Sequence, residues 1–213
     1  MTDLFPPRRA PRLPIAGDSR VFPVNRIFCI GRNYADHAAE MGAAPEPIFF
    51  MKPAHSIITG PSVPYPPQTS DLHHEVEMVL ALGPGAEVVA AGTGVDLTRR
   101  DLQGQMKEKR APWEIGKAFT ASAPVGALRL GPAPSVGSIS LSVNGNTRQS
   151  GDLNQMILPP AELIQALSRY FDLAEGDLIF SGTPAGVAAI APGDTVEARI
   201  AGLSDLDFTL TGA

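Results

Sequence analysis

The sequence predicts a mixed α+β fold that is mainly β, and three observations carry the prediction. Short apolar runs rich in strand formers recur along the 213 residues. The 21 glycines and 21 prolines are spread between them as turn punctuation, without a period. Only a few stretches have helical composition, and no regular strand–helix alternation links them.

The elements follow in order. Residues 1–20 are polar, contain proline and arginine and lack periodicity, which predicts an extended N-terminal arm ahead of a single domain over 21–213. Residues 24–30 read as a buried strand, broken by Gly31-Arg32-Asn33-Tyr34. A short helix over 34–41 ends at Gly42. A strand at 47–51 precedes Lys52-Pro53, and 61–70 is a proline-rich loop. Residues 75–82 form an apolar strand that Pro84-Gly85 ends, and 98–109 has helical composition with Pro112 just beyond. Residues 138–143 alternate, and Asn144-Gly145 signals a type I′ hairpin turn. Pro159-Pro160 opens the clearest helix, with Leu163, Leu167 and Tyr170 or Phe171 as its apolar stripe and Glu162 in its first turn. Gly176-Asp177 turns into a strand at 178–181, and two more strands lie near 195–200 and 207–210.

Composition excludes several classes of function. Seventeen basic against 22 acidic residues leave a net charge of −5, with no basic stripe, which argues against nucleic-acid binding. No apolar run is long enough to span a membrane, and the first residues lack the apolar core of a signal peptide. The one cysteine, Cys29, lies in an apolar stretch and reads as a buried strand residue rather than a nucleophile. Together these features favour the cytoplasm. Gly92-Thr93-Gly94 is too short for a dinucleotide fingerprint.

The chemistry concentrates in Asp71-Leu72-His73-His74-Glu75-Val76-Glu77-Met78. Alternate strand residues share a face, so Glu75 and Glu77 point the same way while Val76 and Met78 point into a core. Adjacent carboxylates repel, and a hard divalent cation relieves that repulsion; the alternative is a solvated strand face. Asp96 is a third oxygen ligand or the N-cap of the helix after it. Three carboxylates suit Mg²⁺ or Mn²⁺, and the absence of a thiolate cluster or a His-Glu-x-x-His helix argues against zinc. His73 shares the carboxylate face and His74 faces away. In His37-Ala38-Ala39-Glu40, helical i,i+3 spacing lets Glu40 orient the imidazole as a water-activating base, or the pair is an exposed polar face. Lys117, set among apolar residues, stabilises an oxyanion or extends its head to solvent. Ser181-Gly182-Thr183-Pro184-Ala185-Gly186 offers backbone amides to a carboxylate, or is a turn.

Each signal is weak singly, and their order along the chain is specific. Gly31-Arg32-Asn33-Tyr34, His37-x-x-Glu40, Lys52-Pro53, His74-Glu75-Val76-Glu77, Asp96 with Arg100-Asp101-x-Gln103, Gly116-Lys117-Ala118-Phe119 and Gly182-Thr183-Pro184-Ala185-Gly186 follow one another in a succession that resembles the fumarylacetoacetate hydrolase family. The stretches around Arg100, Trp113 and Asp152 look most like its fumarylpyruvate hydrolase branch, and the acylpyruvase branch is also similar. The resemblance implies a β-sandwich or β-roll with few short helices, assembled as a homodimer. It implies Mg²⁺ or Mn²⁺ on Glu75, Glu77 and Asp96, and a water-activating dyad of His37 and Glu40 on a short helix. Lys117 would stabilise an enolate, and Arg32, Lys52, Arg100, Gln103, Gly182 and Thr183 would serve the substrate. The implied activity is metal-dependent hydrolysis of a carbon–carbon bond in a 2,4-dioxo acid, fumarylpyruvate giving fumarate and pyruvate in gentisate-type aromatic catabolism. Oxaloacetate decarboxylation and oxo-dienoate hydration or isomerisation are the alternatives on this fold, and a non-catalytic carboxylate-binding protein is a third. One departure stands out: the segment between Glu77 and Asp96 is shorter than the family pattern, so either a tight connection replaces a helix or residues are missing there.

Overall fold

Two sheets carry the fold in the computed structural model, which describes residues 4–6, 9–40, 42, 44 and 46–212. The first sheet has six strands in the order Arg129–Leu130, Val88–Val95, Val76–Leu82, Leu178–Phe180, Ile27–Gly31, Ile48–Lys52. Only Leu178–Phe180 and Ile27–Gly31 run parallel within it. The second sheet has five strands in the order Asn146–Asp152, Ser138–Val143, Thr195–Ile200, Leu206–Thr211, Ser62–Pro64. Its alternating sequences turn Ile139, Leu141, Val196, Ala198, Phe208 and Leu210 towards Val76, Met78, Leu80 and Leu82 of the first sheet. Helix Pro160–Ser168 adds Leu163 and Leu167 to this core. Tyr170 is exposed, and Phe171 completes the stripe by packing 5.0 Å from the Phe28 ring.

The outer face of the six-stranded sheet is covered as well. Val79, Ala81, Cys29 and Phe180 pack there with Leu13, Phe22, Val24 and Leu128. Leu13 and Phe22 come from an antiparallel hairpin, Arg12–Pro14 with Val21–Pro23, which crosses the expected boundary between arm and domain. Residues 1–3, 7 and 8 of that arm lie outside the described residues. All seven residues of Val76–Leu82 are therefore buried, and the odd-numbered face that carries Glu77 looks into this second core.

The short segment before Asp96 is a tight connection. A 3₁₀ turn at Pro84–Ala86 leads into strand Val88–Val95, which the sequence reading did not anticipate. It returns along Val76–Leu82, pairing Glu77 with Gly94, and Asp96 N–H donates to Glu75 O at 2.8 Å. The run Ala-Ala-Gly-Thr-Gly has little strand propensity, but the space demands small residues: a Cβ at Gly94 would meet Val79 Cγ2 at 2.6 Å. The helix expected over 98–109 starts at Arg100, because Thr98–Arg99 pairs with Leu72–His73. The helix expected over 34–41 spans Ala35–Glu40, with Met41 outside the described residues. Asn144 and Gly145 have φ of 52° and 74° and join strands paired at Val143 and Asn146, as a type I′ turn requires.

Candidate active site

Glu75, Glu77 and Asp96 each offer an oxygen within 4.8 Å of the others, and all three are buried. The strand register brings them together: Glu75 immediately precedes strand Val76–Leu82, Glu77 lies in it, and Asp96 follows its antiparallel neighbour. Burying three carboxylates is costly unless they are paired and hydrogen-bonded. Lys117 Nζ donates to Glu75 Oε2 and to Asp96 Oδ2, both at 2.8 Å. Arg100 donates to the other oxygen of Glu75 and, at 2.6 Å, to Gln103 Oε1. Lys52 Nζ lies 2.8 Å from Asp96 Oδ1 and donates to Ser122 Oγ at 3.0 Å and to Lys117 O.

The charges are unevenly settled. Burial alone would raise the Glu75 carboxyl, but Lys117, Arg100 and His37 hold it well below the usual range. Burial would likewise lower the Lys117 ammonium, and Asp96 and Glu75 outweigh it. Glu77 accepts Gly182 N–H at 2.7 Å, and among the described residues it has no cation within ion-pairing distance. Burial, with Asp96 and Glu75 beside it, pushes its carboxyl well up. An oxygen-only donor set with one uncompensated carboxylate fits a hard divalent cation such as Mg²⁺ or Mn²⁺.

Beside the carboxylates opens a cavity of about 180 Å³. Arg32, His37, Glu75, Arg100, Gln103 and Lys117 all line it, so folding gathers six of the expected site residues on one space. His37 Nδ1 faces Glu40 Oε2 across a loose 3.5 Å, and the Glu40 carboxylate accepts Gly186 N–H at 3.1 and 3.2 Å. Burial lowers the His37 pKa more than Glu75 and Glu40 raise it, so the imidazole is neutral at pH 7. His73 accepts from Arg100 Nε at 3.4 Å through Nδ1 and donates to Asp71 at 2.8 Å through Nε2, which steadies the guanidinium.

Lys52, Gly182 and Thr183 are held by contacts within the protein. None of them lines the cavity. Lys52 is held within the protein behind Asp96, and Gly182 spends its amide on Glu77. Thr183 Oγ1 accepts from Gln149 Nε2 at 2.7 Å. Gln149 is a residue that sequence reasoning missed. Its Oε1 accepts from Val76 N–H at 3.0 Å and His74 Nδ1 at 2.9 Å, and its Nε2 also donates to Pro184 O, so it ties the carboxylate strand to the Gly182 loop. It sits in a polar run, and only its pairing opposite buried Leu141 turns it inward. Asn33 was also missed, although it stands inside a quoted motif. It donates to Ser181 O at 2.7 Å and Leu158 O at 3.0 Å, and accepts Leu158 N–H at 2.8 Å.

The sequence and the fold have known relatives. Residues 26–211 match the family described as fumarylacetoacetate (FAA) hydrolase C-terminal. The crystal structure of fumarylpyruvate hydrolase from Pseudomonas aeruginosa, in complex with Mn²⁺ and pyruvate, superposes with a TM-score of 0.96 at 41% identity over 100% of both chains. The mitochondrial oxaloacetate tautomerase of Bos taurus is 38% identical over 85% of this chain and 90% of its own. An oxaloacetate tautomerase of Escherichia coli is 36% identical over 86% of this chain and 91% of its own. The chain belongs to the fumarylacetoacetate hydrolase family.

Proposed function

We propose that this protein is a divalent-metal-dependent hydrolase that cleaves a carbon–carbon bond in a 2,4-dioxo acid, with fumarylpyruvate as substrate and fumarate and pyruvate as products. The observation that carries the reading is a cluster of three buried carboxylates, one of which, Glu75, lines a cavity that also holds a neutral histidine backed by a carboxylate. A relative of 41% identity, spanning both chains in full, binds Mn²⁺ and pyruvate. Glu75, Glu77 and Asp96 would hold Mg²⁺ or Mn²⁺, which supplies Lewis acidity towards the keto oxygens. His37 gives its Nδ1 proton to the contact with Glu40, leaving Nε2 to take a proton from water. The hydroxide adds to the distal acyl carbonyl. The carbon–carbon bond then breaks, its electron pair leaves with pyruvate as the enolate, and the proton held by His37 returns to that carbon. Arg100 and Gln103 orient the dioxo acid, and Lys117 offers positive charge to the enolate. Arg32 is placed on the same cavity. Lys52, Gly182 and Thr183 act through the residues they hold rather than on the substrate.

The catalytic unit in this reading is the domain from residue 21 on, completed by the strand Arg12–Pro14. It works in the cytoplasm, which the single buried cysteine supports, and as a homodimer, which rests on the family resemblance. Pyruvate release from fumarylpyruvate, acetylpyruvate and oxaloacetate, with Mg²⁺ and with chelator, tests the assignment. Hydrolysis of the acylpyruvates that chelator abolishes and Mg²⁺ restores is expected, and His37→Ala should slow it by about 10²–10⁴ with metal binding retained. A second reading, isomerisation of oxaloacetate, is favoured by the two relatives named for that activity. It needs no activated water, so enol–keto exchange that survives His37→Ala without acylpyruvate cleavage would select it.

A further inference from the structure

The cavity lining includes groups that the chemistry above does not use. Lys117 Nζ stands 5.0 Å from the centroid of the Phe50 ring, Phe50 stands 6.0 Å from Trp113, and Lys107 Nζ stands 5.2 Å from Trp113. All four residues line the cavity. Two aromatic rings thus link the ammonium on the metal-ligand cluster to a second ammonium. The first is already paired with Glu75 and Asp96, and Arg100 with Glu75 and Gln103. Lys107 and Arg32 are different: among the described residues neither has a carboxylate within 4.0 Å.

A lysine in the last turn of helix Arg100–Lys109 is ordinary, because it complements the helix dipole. Lys109 shares that turn and does not reach the cavity, whereas Lys107 does. Partial burial, and the positive charges of Arg100, Lys117 and Arg32, push the Lys107 ammonium below its usual range. Arg32 has a left-handed backbone, φ +62°, which a residue with a Cβ adopts at a cost. Strain held at a cavity wall is a mark of a placed side chain.

We propose that Lys107, poised over the Trp113 indole, and Arg32 together receive a carboxylate at the distal end of the acyl chain. The substrate class is therefore a dicarboxylic acylpyruvate whose flat, conjugated acyl chain lies along Phe50 and Trp113. This rests on the acylpyruvate reading and adds the residues that select among its members. Trp113 is the only tryptophan, so its fluorescence reports on this subsite without turnover. The test titrates fumarate and crotonate, which differ by one carboxylate, into Mg²⁺-loaded wild type, Lys107→Met and Arg32→Asn; asparagine tolerates the left-handed backbone. The same proteins are assayed on fumarylpyruvate and acetylpyruvate. Each variant should cut the preference for fumarate over crotonate, and the ratio of kcat/KM for fumarylpyruvate to acetylpyruvate, by roughly tenfold, the loss expected for a charge-assisted hydrogen bond. Lys107→Arg should recover most of it. Ratios equal to wild type in both variants overturn the subsite. Wild type that cleaves neither acylpyruvate, yet prefers fumarate in a Lys107-dependent way, overturns the reaction and keeps the subsite.

Discussion

In the five-stranded sheet, Ser138–Val143 and Thr195–Ile200 alternate between covered and more open side chains, whereas all seven residues of Val76–Leu82 in the six-stranded sheet are buried. The five-stranded sheet follows the ordinary economy of a sandwich, apolar inside and polar outside. The six-stranded sheet is packed on both faces, yet it is the sheet that carries the buried carboxylates. Burying Glu75, Glu77 and Asp96 makes each interaction with them strong. It also makes each partner indispensable, because an uncompensated charge there is costly. The scaffold sheet tolerates change, and the site sheet does not.

Lys52→Met is the sharpest way to break that contrast. It keeps the side-chain volume but removes a fully buried ammonium from Asp96, Leu97 O and Ser122. Urea unfolding should show a loss of about 3–5 kcal/mol. A loss under about 1 kcal/mol would mean that the site sheet is no more demanding than the scaffold. Next in size is a pair of glycines. Gly182 has φ +94°, and a Cβ there would meet Asn33 Cβ at 2.7 Å; Gly145, in the scaffold hairpin, has φ +74° with open space around it. Gly182→Ala should cost about 3 kcal/mol and weaken Mg²⁺ binding, and Gly145→Ala about 1 kcal/mol with binding unchanged. Denaturant midpoints and a Mg²⁺ titration would compare them.

The titration of His37 gives a smaller effect. Burial lowers its pKa, so the neutral imidazole that can take a proton persists below the usual 6.5. The rate is then lost only as pH falls through that lowered value. The acid limb of kcat/KM should therefore lie below pH 6.5, and a limb at or above 6.5 would show that His37 is not sheltered as described. The smallest effect belongs to the scaffold. Arg199, partly exposed, pairs with Asp207, with Asp205 at 3.3 Å and with Glu197 at 3.9 Å. Arg199→Ala should cost less than about 1 kcal/mol and leave pyruvate release untouched.

Much of the architecture was readable before folding was considered. Strand 138–143 appears where its alternation put it, because a half-covered strand writes its period into its residues, and the strand expected near 195–200 is there as well. The Asn-Gly turn and the helix after Pro159 follow from backbone preferences that act locally. Strand Val88–Val95 was not readable. Its glycines answer to Val79, Phe180 and Leu128, which lie elsewhere in the chain.

The candidate site divides in the same way. Residue order alone singled out Glu75, Glu77, Asp96, His37 and Lys117, since chemistry restricts which side chains can hold a cation or move a proton. Only the tertiary structure turned Glu77 and Asp96 into buried neighbours, set Lys52 behind them, and gave Gln149 and Asn33 their positioning bonds. It also placed Lys107 over Trp113 in the cavity lining. Residue type determines what a group can do. Distance and exclusion of water determine what it is worth, and both are set by contacts between strands far apart in the chain.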